Sequence, residues 1–344
     1  MAALKLLNLL ALASVAVLTL SFGATPVNAL ATDNSHMVRR ASHGLPLPPP
    51  RRLPPGPLPL PLPPPSTPPP PPPAPSSTSS VNTWTPAPSS SSSSAAPAPT
   101  SGSGSGKWGL GWPNGDSTYL SNFLLPDVKY LYTWGPQLPT GLNQLGITGV
   151  AMLWGYDQIT QFQQTVVAGY ANYVLGMNEP NEPSQSNMSA QDGASLWQQY
   201  INPLKDQGYY LVSPACTNDQ AGMQWMTDFF AACTGCHVDA VAFHYYSTSE
   251  SDFATYATQL HNQFNLPIWV TEFADQDFSG GAQADQSAVW NFAGTIKQFV
   301  DETDWMEAAF PFGVMGDMQG VNTLNQLLSG SNEPTSLASF YFGA

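Results

Sequence analysis

Between residues 108 and 314 the chain repeats one pattern: a short, nearly continuous apolar run, then a longer stretch that mixes apolar and polar positions. The runs cover 108–112, 130–134, 149–154, 173–178, 210–214, 240–244, 268–272 and 308–314. The longer stretches cover 156–169, 190–207, 220–232, 250–264 and 283–303. In two of these, Leu196, Tyr200 and Leu204, and Ile296, Phe299 and Val300, keep helical spacing. Strands covered on both faces lose the alternation of polar and apolar positions and read as continuous apolar runs. Eight such strands alternating with helices predict an α/β fold, a closed (β/α)8 TIM barrel. A doubly wound open sheet is the alternative. It lacks its dinucleotide turn here, because Gly109-Leu110-Gly111-Trp112 runs into Pro113-Asn114-Gly115 and not into a helix.

A barrel of this kind does its chemistry at the C-terminal ends of its strands. Those positions hold Trp112, Trp134, Trp154, Asn178 with Glu179, Cys216, His244 with Tyr245 and Tyr246, Glu272, and Phe310 with Phe312. Aromatic faces suit the C–H faces of sugar rings, and carboxylates and amides suit hydroxyls. Strands four and seven face each other across a barrel mouth, which brings Glu179 and Glu272 toward one another. Two carboxylates about 5–5.5 Å apart form the retaining glycosidase arrangement. A structural ion pair is the competing reading for each, but cations are scarce. Glu182, three residues on, falls past the strand end and reads as a solvated loop residue. His244 and Tyr246 share one strand face, near Glu272 in the functional reading, or with His244 a satisfied core histidine in the bland one. Trp154 and Tyr156 are the first candidates for a sugar platform and Trp112 the next, with barrel packing the alternative for each tryptophan. His237 and His261 lack ligand spacing, and no metal site or cofactor is expected.

Composition and charge narrow the partners. From Lys107 onward there are four lysines, no arginine and 22 acidic residues, a formal net charge of about −18. No basic footprint for nucleic acid can be assembled, and phosphorylated substrates, which Arg and Lys hold, are disfavoured. A neutral substrate fits better. At the other end, an apolar stretch from Leu6 to Phe22 followed by Val27-Asn28-Ala29 reads as a signal peptide over 1–29, with a membrane anchor as the alternative. Of the chain's 35 prolines, 23 fall between Leu45 and Gly106 in company with Ser and Gly. A segment of that composition cannot bury a core, so 30–106 reads as a disordered Pro/Ser/Gly-rich linker or stalk. The remaining 107–344 is expected to form the catalytic (β/α)8 domain. Secretion, outside the cell or at a cell wall, no membrane association and a monomeric state follow as expectations. In an oxidising compartment Cys216, Cys233 and Cys236 read as one disulfide plus one thiol, with the pairing open. Asn187-Met188-Ser189 is the one N-glycosylation sequon.

Gly176-Met177-Asn178-Glu179-Pro180-Asn181, Phe243-His244-Tyr245-Tyr246 and Trp269-Val270-Thr271-Glu272-Phe273 resemble glycoside hydrolase family 128, the fungal-type glycosyl hydrolase catalytic core. The resemblance spans essentially all of 107–344. It implies a retaining (β/α)8 glycosidase with Glu179 as general acid/base and Glu272 as nucleophile. Asn178 would bond a sugar 2-hydroxyl, with His244 and Tyr246 nearby. The implied substrate is β-1,3-glucan, attacked within the chain, although other members of the family only bind it and some are linked to fungal cell walls. Phe312 stands where many relatives carry tryptophan.

Overall fold

The computed structural model describes residues 106–344. The signal peptide expected over 1–29 and the stalk over 30–106 lie outside the described residues, apart from Gly106. The domain is a closed barrel of eight parallel strands in sequence order: β1 Trp108–Gly111, β2 Val128–Tyr132, β3 Thr148–Met152, β4 Tyr173–Leu175, β5 Tyr210–Cys216, β6 Ala240–Ser247, β7 Ile268–Asp275 and β8 Met306–Pro311. Six α-helices follow: α1 Ile159–Thr165, α2 Ala190–Leu196, α3 Gln220–Ala232, α4 Glu250–Phe264, α5 Gln286–Glu302 and α6 Ser336–Phe342. All eight predicted runs are strands. The predicted helix over 190–207 divides into α2, a wider turn over Trp197–Ile201 and a tighter one over Asn202–Gln207, whose Pro203 has no N–H to give. Among the described residues, no helix is long and apolar enough to cross a bilayer.

Capping residues set the helix starts. Ser189, Asp219, Asp285 and Thr335 each accept a backbone N–H from the first turn of α2, α3, α5 and α6. Cys233 and Cys236 form a disulfide just past α3, and Cys216 is a buried free thiol whose pKa is pushed well up, mainly by burial.

Apolar residues fill two shells. Outside the barrel, Trp108, Leu110, Trp112, Leu131, Val241, Ile268 and Val270 pack against the helices. Inside, Tyr130, Tyr132, Trp134, Met152, Trp154, Trp269 and Phe310 fill the lumen. β1 adds no side chain there. Its inward positions are glycines, and a Cβ on Gly109 would lie 2.1 Å from Phe310, one on Gly111 2.6 Å from Trp134. Those two glycines make the space that the rings of Phe310 on β8 and Trp134, just past β2, occupy.

Candidate active site

Alternation along β1 decides one of the sequence expectations against the sugar platform. Trp112 follows Trp108 and Leu110 onto the outer face, is fully buried, donates from Nε1 to the Gly115 carbonyl at 2.9 Å and packs on Tyr119 and Phe123. It is a core residue. Tyr156 is half exposed on a turn after β3 and is not among the residues that line the pocket. Trp154, two residues earlier, does line the pocket.

Glu272 reaches the lumen through an irregularity in β7. Phe243 pairs with Val270 and His244 with Glu272, and on the other side Val270 pairs with Ala309 and Phe273 with Pro311. Both ladders therefore carry one extra residue in β7, Thr271. Strict alternation from the inward Trp269 would turn Thr271 in and Glu272 out to the helices. The bulge reverses this, as such irregularities beside active sites commonly do. β7 also runs on to Asp275, so Glu272 is within the strand and not at its end.

Glu179 follows β4 on a backbone pinned at both sides. Asn178 N donates to the Trp154 carbonyl at 3.0 Å and Glu179 N to the Ala215 carbonyl at 2.7 Å. A residue before proline favours extended backbone, yet Glu179, which precedes Pro180, has a φ of +40°. Trp134 is left-handed as well, at +57°. Non-glycine residues held in this region cost about 1–3 kcal/mol and gather at functional sites.

The side chains converge. Glu272 accepts from Trp134 Nε1 at Oε1 (2.7 Å) and from Tyr246 Oη at Oε2 (2.6 Å). His244 Nδ1 lies 2.8 Å from Glu179 Oε1 and 3.5 Å from Glu272 Oε2. The histidine expected beside Glu272 thus sits closer to Glu179, bridging the pair, while Tyr246 takes the predicted place. A carboxylate oxygen of each glutamate and the imidazole nitrogen lie within 4.8 Å of one another, and all three residues are buried. So close an approach suits a retaining pair, about 5–5.5 Å apart, better than an inverting one, about 6.5–9.5 Å apart. Among the described residues this trio is the one set of donors close enough to hold a cation. The 2.8 Å contact between His244 Nδ1 and Glu179 Oε1 is also a hydrogen-bond distance.

The four lysines among the described residues are all engaged elsewhere or exposed. Lys107 binds carbonyls of Val300 and Thr303, Lys205 binds Asp239, Lys297 binds Asp301, and Lys129 lies over Tyr130. None of these lysine contacts is made to Glu179 or Glu272. Asn178 donates from Nδ2 to Gln185 Oε1 at 3.2 Å, and its buried Oδ1 has no hydrogen-bond partner. A carbonyl oxygen in that state beside a pocket is ready to accept from a hydroxyl. Glu182 is half-buried and accepts from Asn181 outside the pocket.

The pocket above the pair encloses about 30 Å³ and is walled by Trp134, Trp154, Tyr246 and Phe312, with Gln185, Gln319 and Val321 at its edge. Gln185, Gln319 and Val321 were missed in sequence, and Trp134 stood among the strand-end positions without being ranked as a platform. Trp134 had the same strand-end signal as Trp112 and Trp154, and Gln319 and Val321 lie in a loop after β8 with no signal of their own. A larger cavity of about 420 Å³, near the N-terminal ends of β3 and β4, has no carboxylate in its lining.

Residues 109–341 match the family model described as "Glycosyl hydrolase catalytic core". A curated relative, alkali-sensitive linkage protein 1 of Schizosaccharomyces pombe, is 32% identical over 245 residues, which is 68% of this chain and 44% of that protein, so the match covers less than half of the relative's length. Solved structures of family 128 superpose on the barrel. A curdlan-specific exo-β-1,3-glucanase from Blastomyces gilchristii is 28% identical with a TM-score of 0.58, covering 71% of this chain and all of that one. An endo-β-1,3-glucanase from Lentinula edodes is 25% identical with a TM-score of 0.57, covering 69% and 100%. An oligosaccharide-binding protein from Cryptococcus neoformans is 28% identical with a TM-score of 0.59, covering 70% and 94%. With its eight-stranded barrel and this match, the chain belongs to the glycosyl hydrolase catalytic core family, glycoside hydrolase family 128.

Proposed function

We propose that the protein is a retaining β-1,3-glucanase that cleaves within glucan chains, with Glu179 as acid/base and Glu272 as nucleophile. The approach of two buried carboxylates to within 4.8 Å carries this reading. Protonated Glu179 gives its proton to the glycosidic oxygen as Glu272 attacks the anomeric carbon. The C–O bond to the leaving sugar breaks and a glycosyl ester forms. A water, its proton taken by Glu179, then releases Glu272 and restores the original anomeric configuration. Trp134 and Tyr246 hold the two oxygens of Glu272 in place, Asn178 Oδ1 accepts a sugar hydroxyl, and Trp154 supports the ring. The apolar leader and proline-rich stalk support placing this activity outside the cell or at a cell wall.

Incubation with β-1,3-, mixed-linkage and cellulosic glucans tests the proposal. Reducing ends released from β-1,3-glucan as a ladder of oligosaccharides, with β-anomers first by NMR, are expected. Glucose as the sole product would make the attack chain-terminal. Binding without release would place the chain with the oligosaccharide-binding relative.

A further inference from the structure

Thr271, the extra residue of β7, is what turns Glu272 toward the pocket, and one side chain from across the barrel holds it. Tyr132, on β2, donates from Oη to the Thr271 carbonyl at 2.8 Å. β2 and β7 are not neighbours; β1 and β8 separate them in the barrel wall. Tyr132 is fully buried, and its ring packs at 4.6 Å on Trp134, the residue that donates to Glu272 Oε1. The Thr271 hydroxyl is buried with no hydrogen-bond partner, so the carbonyl–tyrosine bond is the polar tie seen at this residue outside the ladders.

We propose that Tyr132 is a positioning residue: it fixes the bulge at Thr271 from the barrel interior and so sets the direction of the Glu272 carboxylate. It acts at two points. Its hydroxyl holds the backbone one residue before Glu272, and its ring sets the plane of the indole that binds the carboxylate. Burial and the two nearby carboxylates push the tyrosine hydroxyl well above its ordinary pKa, so it stays a donor at every pH where the fold persists. The inference rests on Glu272 being the nucleophile. A nucleophile misplaced by about 1 Å costs on the order of 100-fold in rate.

Tyr132→Phe keeps the ring and removes one oxygen. Tyr130→Phe, two residues earlier on the same inward face, is the control, since it takes a hydroxyl from the lower lumen. Crystal structures and β-1,3-glucan kinetics of both variants are compared with the unmodified protein. For Tyr132→Phe, the 2.7 Å contact of Glu272 with Trp134 should lengthen or break, and kcat should fall about 10- to 100-fold with KM within about twofold. Tyr130→Phe should keep both values. If Glu272 and Trp134 stay in place in the Tyr132→Phe crystal, the positioning role is wrong, whatever the activity. Equal kcat losses in the two variants would also overturn it, as a general packing effect. Absence of turnover in the unmodified protein strikes at the hydrolase reading alone, because the crystallographic comparison still decides the role of Tyr132.

Discussion

The two ends of the barrel lumen hold the same trio of side chains and differ in what faces it. At the lower end Glu307, near the start of β8, accepts from Tyr210 Oη at 2.7 Å and Trp269 Nε1 at 3.1 Å, both on Oε2. At the upper end Glu272 accepts from Tyr246 and Trp134, one on each oxygen. The lower trio sits among closely packed rings, with Tyr130, Tyr173 and Phe310 within 6 Å of Trp269. Asp239, an acid that acts on Tyr210 there, is already bound to Lys205 at 2.6 Å and to Leu211 N at 2.8 Å. The upper trio instead faces Glu179 and His244 across an open pocket. A glutamate held by Trp and Tyr is therefore a stable way to close a barrel. A second carboxylate and room for a ligand are what make the upper one a candidate for chemistry.

The sharpest way to break the comparison is to remove one charge at each end. Glu272→Gln or Glu179→Gln should lower kcat/KM on β-1,3-glucan by about 10²–10⁴-fold or more. Glu307→Gln should leave kcat/KM within about twofold and lower Tm. A comparable activity loss in Glu307→Gln would mean that the ends are not functionally distinct. A finer cut exchanges one hydroxyl. Tyr246→Phe should reduce kcat/KM by about 10- to 100-fold, the value of a hydrogen bond to a charged group. Tyr210→Phe, at the lower end, should cost about 1–2 kcal/mol of stability in denaturant titrations and no activity.

The smallest effect separates the outer face of the upper end from its lumen. Asp275 ends β7 beyond Phe273 and is buried, and its Oδ1 has no hydrogen-bond partner. Burial first, then Glu250 and Asp285, push its carboxyl up from 3.8 to about 6. The folded protein keeps this proton at a pH where the unfolded chain has lost it. Stability from this group is then fully present below about pH 4 and is lost as pH rises through about 6. Asp275→Asn should raise Tm by about 2–4 °C at pH 7.5 and leave it unchanged at pH 4, with glucan turnover retained. A melting temperature insensitive to the substitution at both pH values would refute the assignment.

The order of elements and the acids to examine were determined by the amino-acid sequence itself. Eight apolar runs alternating with helical stretches specify a barrel, because a strand covered on both faces must be apolar throughout. The glutamates after the fourth run and in the seventh, in a domain with four lysines and no arginine, mark the candidate site, and Asn178, Tyr246 and Trp154 fall beside it. Tertiary structure alone decided which way each residue points, for the same physical reason. A strand buried on both sides carries no alternation to read, so Trp112, Trp134 and Trp154 look alike in sequence although one packs under helices and two line the pocket. The extra residue at Thr271 moves Glu272 from one face to the other without any compositional mark. The pairing of His244 with Glu179, the positive φ of Glu179 and the closure of the pocket by Gln319 and Val321 depend on contacts between segments far apart in the chain. Those contacts exist only once the barrel has closed.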